Sequence, residues 1–153
     1  MKRKIGLIIC LLLTFSTLGF AKDKSLTRSQ LPAAVRKAAD EQSQGATVRG
    51  YSSEVEDGKL EYEVQLTVHG RSRDVTIAPD GSVLEIEDEI AMEGLPAAVR
   101  EALTKTAGTG TITRVESLTK GGKLVAYEAQ VRTGPKHSEI QVGPDGKPLA
   151  HPE

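Results

Sequence analysis

The sequence predicts an α+β protein built from two tandem repeats, each a helix packed on a four-stranded antiparallel meander sheet. Three observations carry that expectation. The phrase Leu31-Pro32-Ala33-Ala34-Val35-Arg36 returns 64 residues later as Leu95-Pro96-Ala97-Ala98-Val99-Arg100. Its companions return in the same order: Gly58-Lys59-Leu60 as Gly122-Lys123-Leu124, Tyr62-Glu63 as Tyr127-Glu128, and Pro79-Asp80-Gly81 as Pro144-Asp145-Gly146. After each copy of the phrase the apolar period changes from that of a helix to two, the period of a strand. Self-similarity at a fixed offset is the mark of a duplicated structural unit.

The amino terminus reads as an export signal. Lys2, Arg3 and Lys4 precede an apolar run from Ile5 to Phe15, and Gly19-Phe20-Ala21 offers small residues at a cleavage site. Cleavage is expected after Ala21, which makes residues 1–21 a signal peptide and 22–30 a loose polar lead. The run is too short and too diluted by Thr14, Ser16, Thr17 and Gly19 to serve as a lasting membrane anchor. Cys10 lies inside the run, after Ile9, so a lipoprotein is not expected. The signal carries away that cysteine together with Phe15 and Phe20. What remains has no disulfide, no Phe and no Trp, keeps only three tyrosines as aromatics, and must build its core from Val, Leu, Ile and Ala. A repeat of about 60 residues without disulfides is marginal alone, so the two copies are expected to pack together.

Repeat 1 spans residues 31–89, a short linker 90–94, and repeat 2 residues 95–150. In the first helix Leu31, Val35, Ala38 and Ala39 form one apolar stripe, Pro32 suits the first turn, and Gly45 follows the end. Leu95, Val99, Ala102 and Leu103 repeat the stripe, with Gly108 as the stop. Thr47 to Glu56 is the first strand, with Gly50 marking either a bulge or a change of face. Leu60, Tyr62, Val64, Leu66 and Val68 alternate with polar residues in the second, as Val125, Tyr127, Ala129 and Val131 do later. Val75 and Ile77 mark a third strand, in step with Ile140 and Val142. Pro-Asp-Gly then turns the chain into a fourth, carrying Leu84 and Ile86, whose counterpart near Leu149 is short.

The order of a Leu-Pro-Ala-Ala-Val helix, a Gly-Lys-Leu turn, a Tyr-Glu strand and a strand ending at Pro-Asp-Gly resembles the PepSY and PepSY-like domains. The tandem arrangement is similar to the β-lactamase-inhibitor-like fold. The resemblance covers about residues 29–89 and 93–150. It implies an exported, non-enzymatic domain, since related domains restrain metallopeptidases from propeptides and tandem ones inhibit β-lactamase with a concave sheet. The inhibitor of β-lactamase carries disulfides and surface aromatics that this chain lacks.

Charge divides by halves. Residues 31–89 hold 6 basic and 13 acidic side chains, and residues 95–149 hold 8 basic and 5 acidic. The mature chain has no cysteine nucleophile and no Gly-x-Ser-x-Gly elbow, and His69, His137 and His151 lack metalloprotease spacing. No enzyme activity and no cofactor are expected. The basic residues Arg114, Lys120, Lys123, Arg132 and Lys136 have no interleaved aromatics, so nucleic acid is not a partner. The expected function is binding of an unidentified envelope or secreted protein, such as a peptidase, through the sheet face opposite the helices. On that face Glu63, Gln65, Glu128, Gln130 and Arg132 are the expected contacts. The alternative is an envelope cation-binding or sensing protein that uses the acidic first repeat. Its ligands would be Glu85, Glu87, Asp88 and Glu89, because hard cations take several oxygen ligands.

Overall fold

A computed structural model describes residues 24–153. The proposed signal and its cleavage site lie outside the described residues. A short strand β1 (Lys24–Leu26) leads through a single 3-10 turn into helix α1 (Ala33–Gln42). Four strands follow: β2 (Thr47–Glu56), β3 (Lys59–Val68), β4 (Arg71–Ile77) and β5 (Val83–Glu89). A second 3-10 turn opens helix α2 (Ala97–Ala107), and β6 (Thr111–Lys120), β7 (Lys123–Thr133) and β8 (Lys136–Val142) complete the chain. Among the described residues no helix is long and apolar enough to cross a membrane.

These strands do not form two four-stranded sheets. They form one eight-stranded antiparallel sheet in chain order, β1 to β8, and the molecule is mostly β with two helices. Three differences overturn the expected pair of helix-on-four-strand repeats. Strand β5 pairs with β6 from Glu85 opposite Lys120 to Glu89 opposite Glu116, which makes the sheet continuous across the expected linker. Lys24–Leu26, read as loose, pairs with β2 and covers its outer edge. The strand expected near Leu149 does not form, since the chain after Gly146 adds no rung to the sheet. An unpaired edge offers a row of open donors and acceptors, and joining β5 to β6 removes two such edges at once.

Both helices sit over apolar patches. Under α1 the core gathers Leu31, Val35, Ala38, Ala39, Val64, Leu66, Val75 and Ile77. Under α2 it gathers Leu95, Val99, Leu103, Val115, Tyr127, Ala129 and Val142. Tyr127 is buried, whereas Tyr51 and Tyr62 are only half-buried at the margin of the first core. The doubtful first strand resolves as a bulge: the β2–β3 register shifts between Val48 and Gly50, which leaves Val48 exposed. That extra residue sets Arg49 free to reach across the sheet, a use to which bulges are commonly put.

The two Pro-Asp-Gly turns lock each helix to the sheet. Asp80 accepts a hydrogen bond from the Ser82 amide at 2.9 Å, and Asp145 from the Lys147 amide at 3.0 Å. Gly81 and Gly146 take positive φ, at 91° and 79°. A β-carbon on Gly81 would lie 2.9 Å from the Ala34 carbonyl oxygen, and one on Gly146 2.7 Å from that of Ala98. Glycine is therefore demanded twice over, by its φ and by the helix backbone above it. Gly146→Ala should lower stability by about 1–3 kcal/mol in urea unfolding, without changing the slope. Gly121→Ala, which meets no neighbouring atom, should cost less although its φ is also positive.

Candidate functional site

The face of the sheet away from the helices is shaped by strand alternation. On β3 the residues opposite the buried Val64 and Leu66 are Glu61, Glu63, Gln65 and Thr67. Asp74 on β4 lies beside Gln65 and Glu87, and Glu87 on β5 lies beside Leu118 of β6. One rung along, Glu89 faces Glu116, Glu116 faces Glu128 of β7, and Glu128 faces Gln141 of β8. The next rung places Arg114 against Gln130, and Gln130 against Glu139.

Residues from β2 to β8 line a single groove of about 750 Å³ on this face. Strands so far apart in one flat sheet could not share a cavity, so the sheet curls towards the open side. Carboxylates dominate the lining, with Glu54, Glu56, Glu61, Asp74, Glu85, Glu87, Glu116, Glu128 and Glu139 set against Lys59, Arg114 and Lys120. Some are matched. Lys120 Nζ lies 3.1 Å from Glu85, Arg49 Nη2 lies 2.6 Å from Asp74, and Gln141 donates to Glu128 at 2.8 Å.

The floor is less well matched. Asp74, Glu87 and Glu116 each bring a carboxylate oxygen within 4.8 Å of the other two. Glu116 is 3% exposed and Glu128 8%. Arg114 Nη2 stands 2.6 Å from Glu116 Oε1 and 3.5 Å from Asp74. The first contact is out of line for a hydrogen bond, so Glu116 Oε1 and Arg114 Nε are both sealed from water without a hydrogen-bond partner. Burial raises the Glu87 carboxyl to about 9, helped by the negative charges of Glu116, Glu85, Glu128 and Asp74. Burial likewise lifts Glu116 to about 7, with Arg114 pulling the other way. Glu128 is raised by burial and partly restored by the Gln141 hydrogen bond.

The expected contact residues share the open face, but only two of them line the groove. Gln130 and Glu128 line the groove, but Glu128 is buried in its floor rather than presented to a partner. Glu63 and Gln65 stand on β3 beside the groove, and Arg132 is exposed on β7, opposite His137 and outside the lining. The acidic run does not act as one cluster. Glu85, Glu87 and Glu89 share the open face, while Asp88 points to the other and pairs with Arg73 through two hydrogen bonds at 2.6 and 3.0 Å. Glu89 accepts from the Ser72 amide. Asp74, Arg114 and Glu116 were missed: the β4–β5 pairing sets Asp74 beside Glu87, and only the β5–β6 pairing brings Arg114 and Glu116 to them.

No family model and no curated protein sequence matches this chain. Solved structures do. A candidate periplasmic protein from Bacteroides eggerthii DSM 20697 aligns with a TM-score of 0.62 at 19% identity, over 76% of this chain and 84% of that one. A DUF2874 family protein from Bacteroides ovatus ATCC 8483 aligns at 0.61 and 15%, over 78% and 84%. A BLIP-like protein from Bacteroides fragilis NCTC 9343 aligns at 0.56 and 21%, over 76% and 81%. At such identities the likeness concerns the fold alone. The fold is that of the BLIP-like and PepSY-like proteins which the sequence resembles.

The raised carboxyls make stability depend on pH in a definite direction. Glu87 and Glu116 hold protons in the folded state at pH values where the unfolded chain has released them. Their contribution to stability is therefore full at acid pH and declines as pH rises above the ordinary carboxyl range, until it is gone above about 7 for Glu116 and about 9 for Glu87. Melting temperature, measured in chelator-containing buffer, should fall across that window. Glu87→Gln should flatten the upper part of the fall, and a profile unchanged by the substitution would contradict the assignment.

Proposed function

We propose that the chain is an exported, non-enzymatic binding module that holds a basic element of a protein partner in the groove of its open sheet face. The observation that carries this reading is the excess of carboxylates along one continuous groove on the face that neither helix covers. The rim acids Glu56 and Glu139 are solvent-exposed, where they steer and orient a charged partner more than they add affinity. Solved structures of the same fold include a BLIP-like protein and a candidate periplasmic protein, which supports a binding role in the envelope. A secreted or envelope protein such as a peptidase, restrained or regulated by occupation of the groove, fits this chemistry. The main residues of the interface are then Glu56, Glu61, Gln130 and Glu139, with Glu63 and Gln65 beside them and Arg132 at the far edge.

The test is capture from envelope extract by the immobilised protein, followed by charge reversal at the rim. A partner that binds through the groove should be released by raised salt. It should associate at least about tenfold more slowly with the Glu56→Lys/Glu139→Lys variant, with a smaller change in dissociation. A captured protein that ignores both salt and the reversal, with the variant folded, would place recognition elsewhere on the molecule.

A further inference from the structure

The floor of the groove carries a second, smaller feature that a protein partner does not explain. Three carboxylates from three consecutive strands converge there: Asp74 from β4, Glu87 from β5 and Glu116 from β6. Asp74 is engaged by Arg49 and, more loosely, by Arg114. Glu87 has no hydrogen bond or ion pair with any described residue. Glu116 is 3% exposed, and its Oε1, although close to Arg114, accepts no hydrogen bond. A buried carboxyl oxygen without a hydrogen bond is costly, and three carboxyls this close resist ionising together without a further cation. A fixed cation of higher charge than a guanidinium resolves both problems together.

We propose that Asp74, Glu87 and Glu116 form a calcium-binding site at the floor of the groove. Oxygens within 4.8 Å of one another can share one ion at about 2.3–2.6 Å each, with little movement of the side chains. That spacing favours Ca²⁺ over Mg²⁺, which demands shorter distances of about 2.0–2.1 Å and near-ideal octahedral geometry. Only one ligand comes from each strand, and the groove opens to solvent on one side, so water completes the coordination. The ligands lie on both sides of the β5–β6 seam, so a bound ion also fastens the two halves of the sheet. This site differs from the acidic run considered on sequence grounds. Of that run only Glu87 takes part, while Asp88 is on the opposite face with Arg73.

Calorimetric titration of the whole protein with CaCl₂ tests the proposal, with MgCl₂ as comparison. One ion per chain should bind with a dissociation constant at or below about 1 mM, the range of extracellular calcium modules, and Mg²⁺ should bind more weakly. Glu87→Gln and Glu116→Gln, which keep shape and remove charge, should each weaken calcium binding at least about tenfold. Glu101→Gln, exposed on α2 and outside the groove, should change it less than about twofold, since that charge lies on the helix side of the sheet. Amide NMR of the unaltered protein gives a readout independent of the variants. Calcium should shift resonances at residues 73–75, 86–88 and 115–117 first. No heat up to about 10 mM CaCl₂, shifts centred elsewhere, or binding that survives both substitutions would each overturn the site. The measurement needs no partner, so failure here leaves the protein-binding reading standing, and failure of that reading leaves the ion site intact.

Discussion

The pairing of β5 with β6 is the constraint on which the rest of the structure depends. Each half of the chain has its own apolar core beneath its own helix, and the two cores are separate. What joins them is a five-residue backbone ladder, from Glu85 opposite Lys120 to Glu89 opposite Glu116. The ion pair between Glu85 and Lys120 closes one end of it. Register in a sheet is set with a period of two, so a slip of one residue would leave Glu87 and Glu116 on opposite faces, one of them turned into the helix layer. The groove, its acidic floor and the convergence of Asp74, Glu87 and Glu116 all exist because this ladder has this register.

The electrostatic cost of that arrangement explains why the floor is the best place to look for a ligand. Like charges directly opposite one another in a sheet are destabilising, and Glu116 faces both Glu89 and Glu128. Burial adds to the penalty, as the raised Glu87 and Glu116 carboxyls record. Arg114 offsets part of it at Glu116, and Arg49 at Asp74. Strained groups of this kind concentrate at functional sites, although ion-pair networks produce them too. The rim differs in kind, because its exposed acids are hydrated and cost little to keep. Rim and floor are thus suited to different ligands, a basic protein surface for the first and a compact cation for the second.

Much of the fold was legible in local patterns. The Leu-Pro-Ala-Ala-Val helices, the alternating strands, the bulge at Gly50 and the Pro-Asp-Gly turns follow from periodicity and turn chemistry, which act over a few residues. What stayed hidden is non-local. Nothing in residues 83–89 and 111–120 taken singly says that they pair, and the repeat itself suggested two closed units. Lys24–Leu26 is too short and polar to announce a strand, and it becomes one because β2 offers it an edge. For the site, sequence adjacency misled: Asp88 next to Glu87 looks like a co-ligand, but alternation sends it to Arg73 on the other face. Tyr62 and Tyr127 match across the repeat, yet they differ in burial, because each half packs its own core.

Amide hydrogen exchange across the β5–β6 seam tests the central claim most directly. If the eight strands form one sheet, the hydrogen-bonded amides in residues 85–89 and 116–120 should exchange as slowly as those between β3 and β4. They should also open in a cooperative unit with both halves. If those amides exchange at rates typical of an open edge while β3–β4 and β7–β8 stay protected, the molecule is two sheets rather than one. The groove floor described here would then not exist as a single surface.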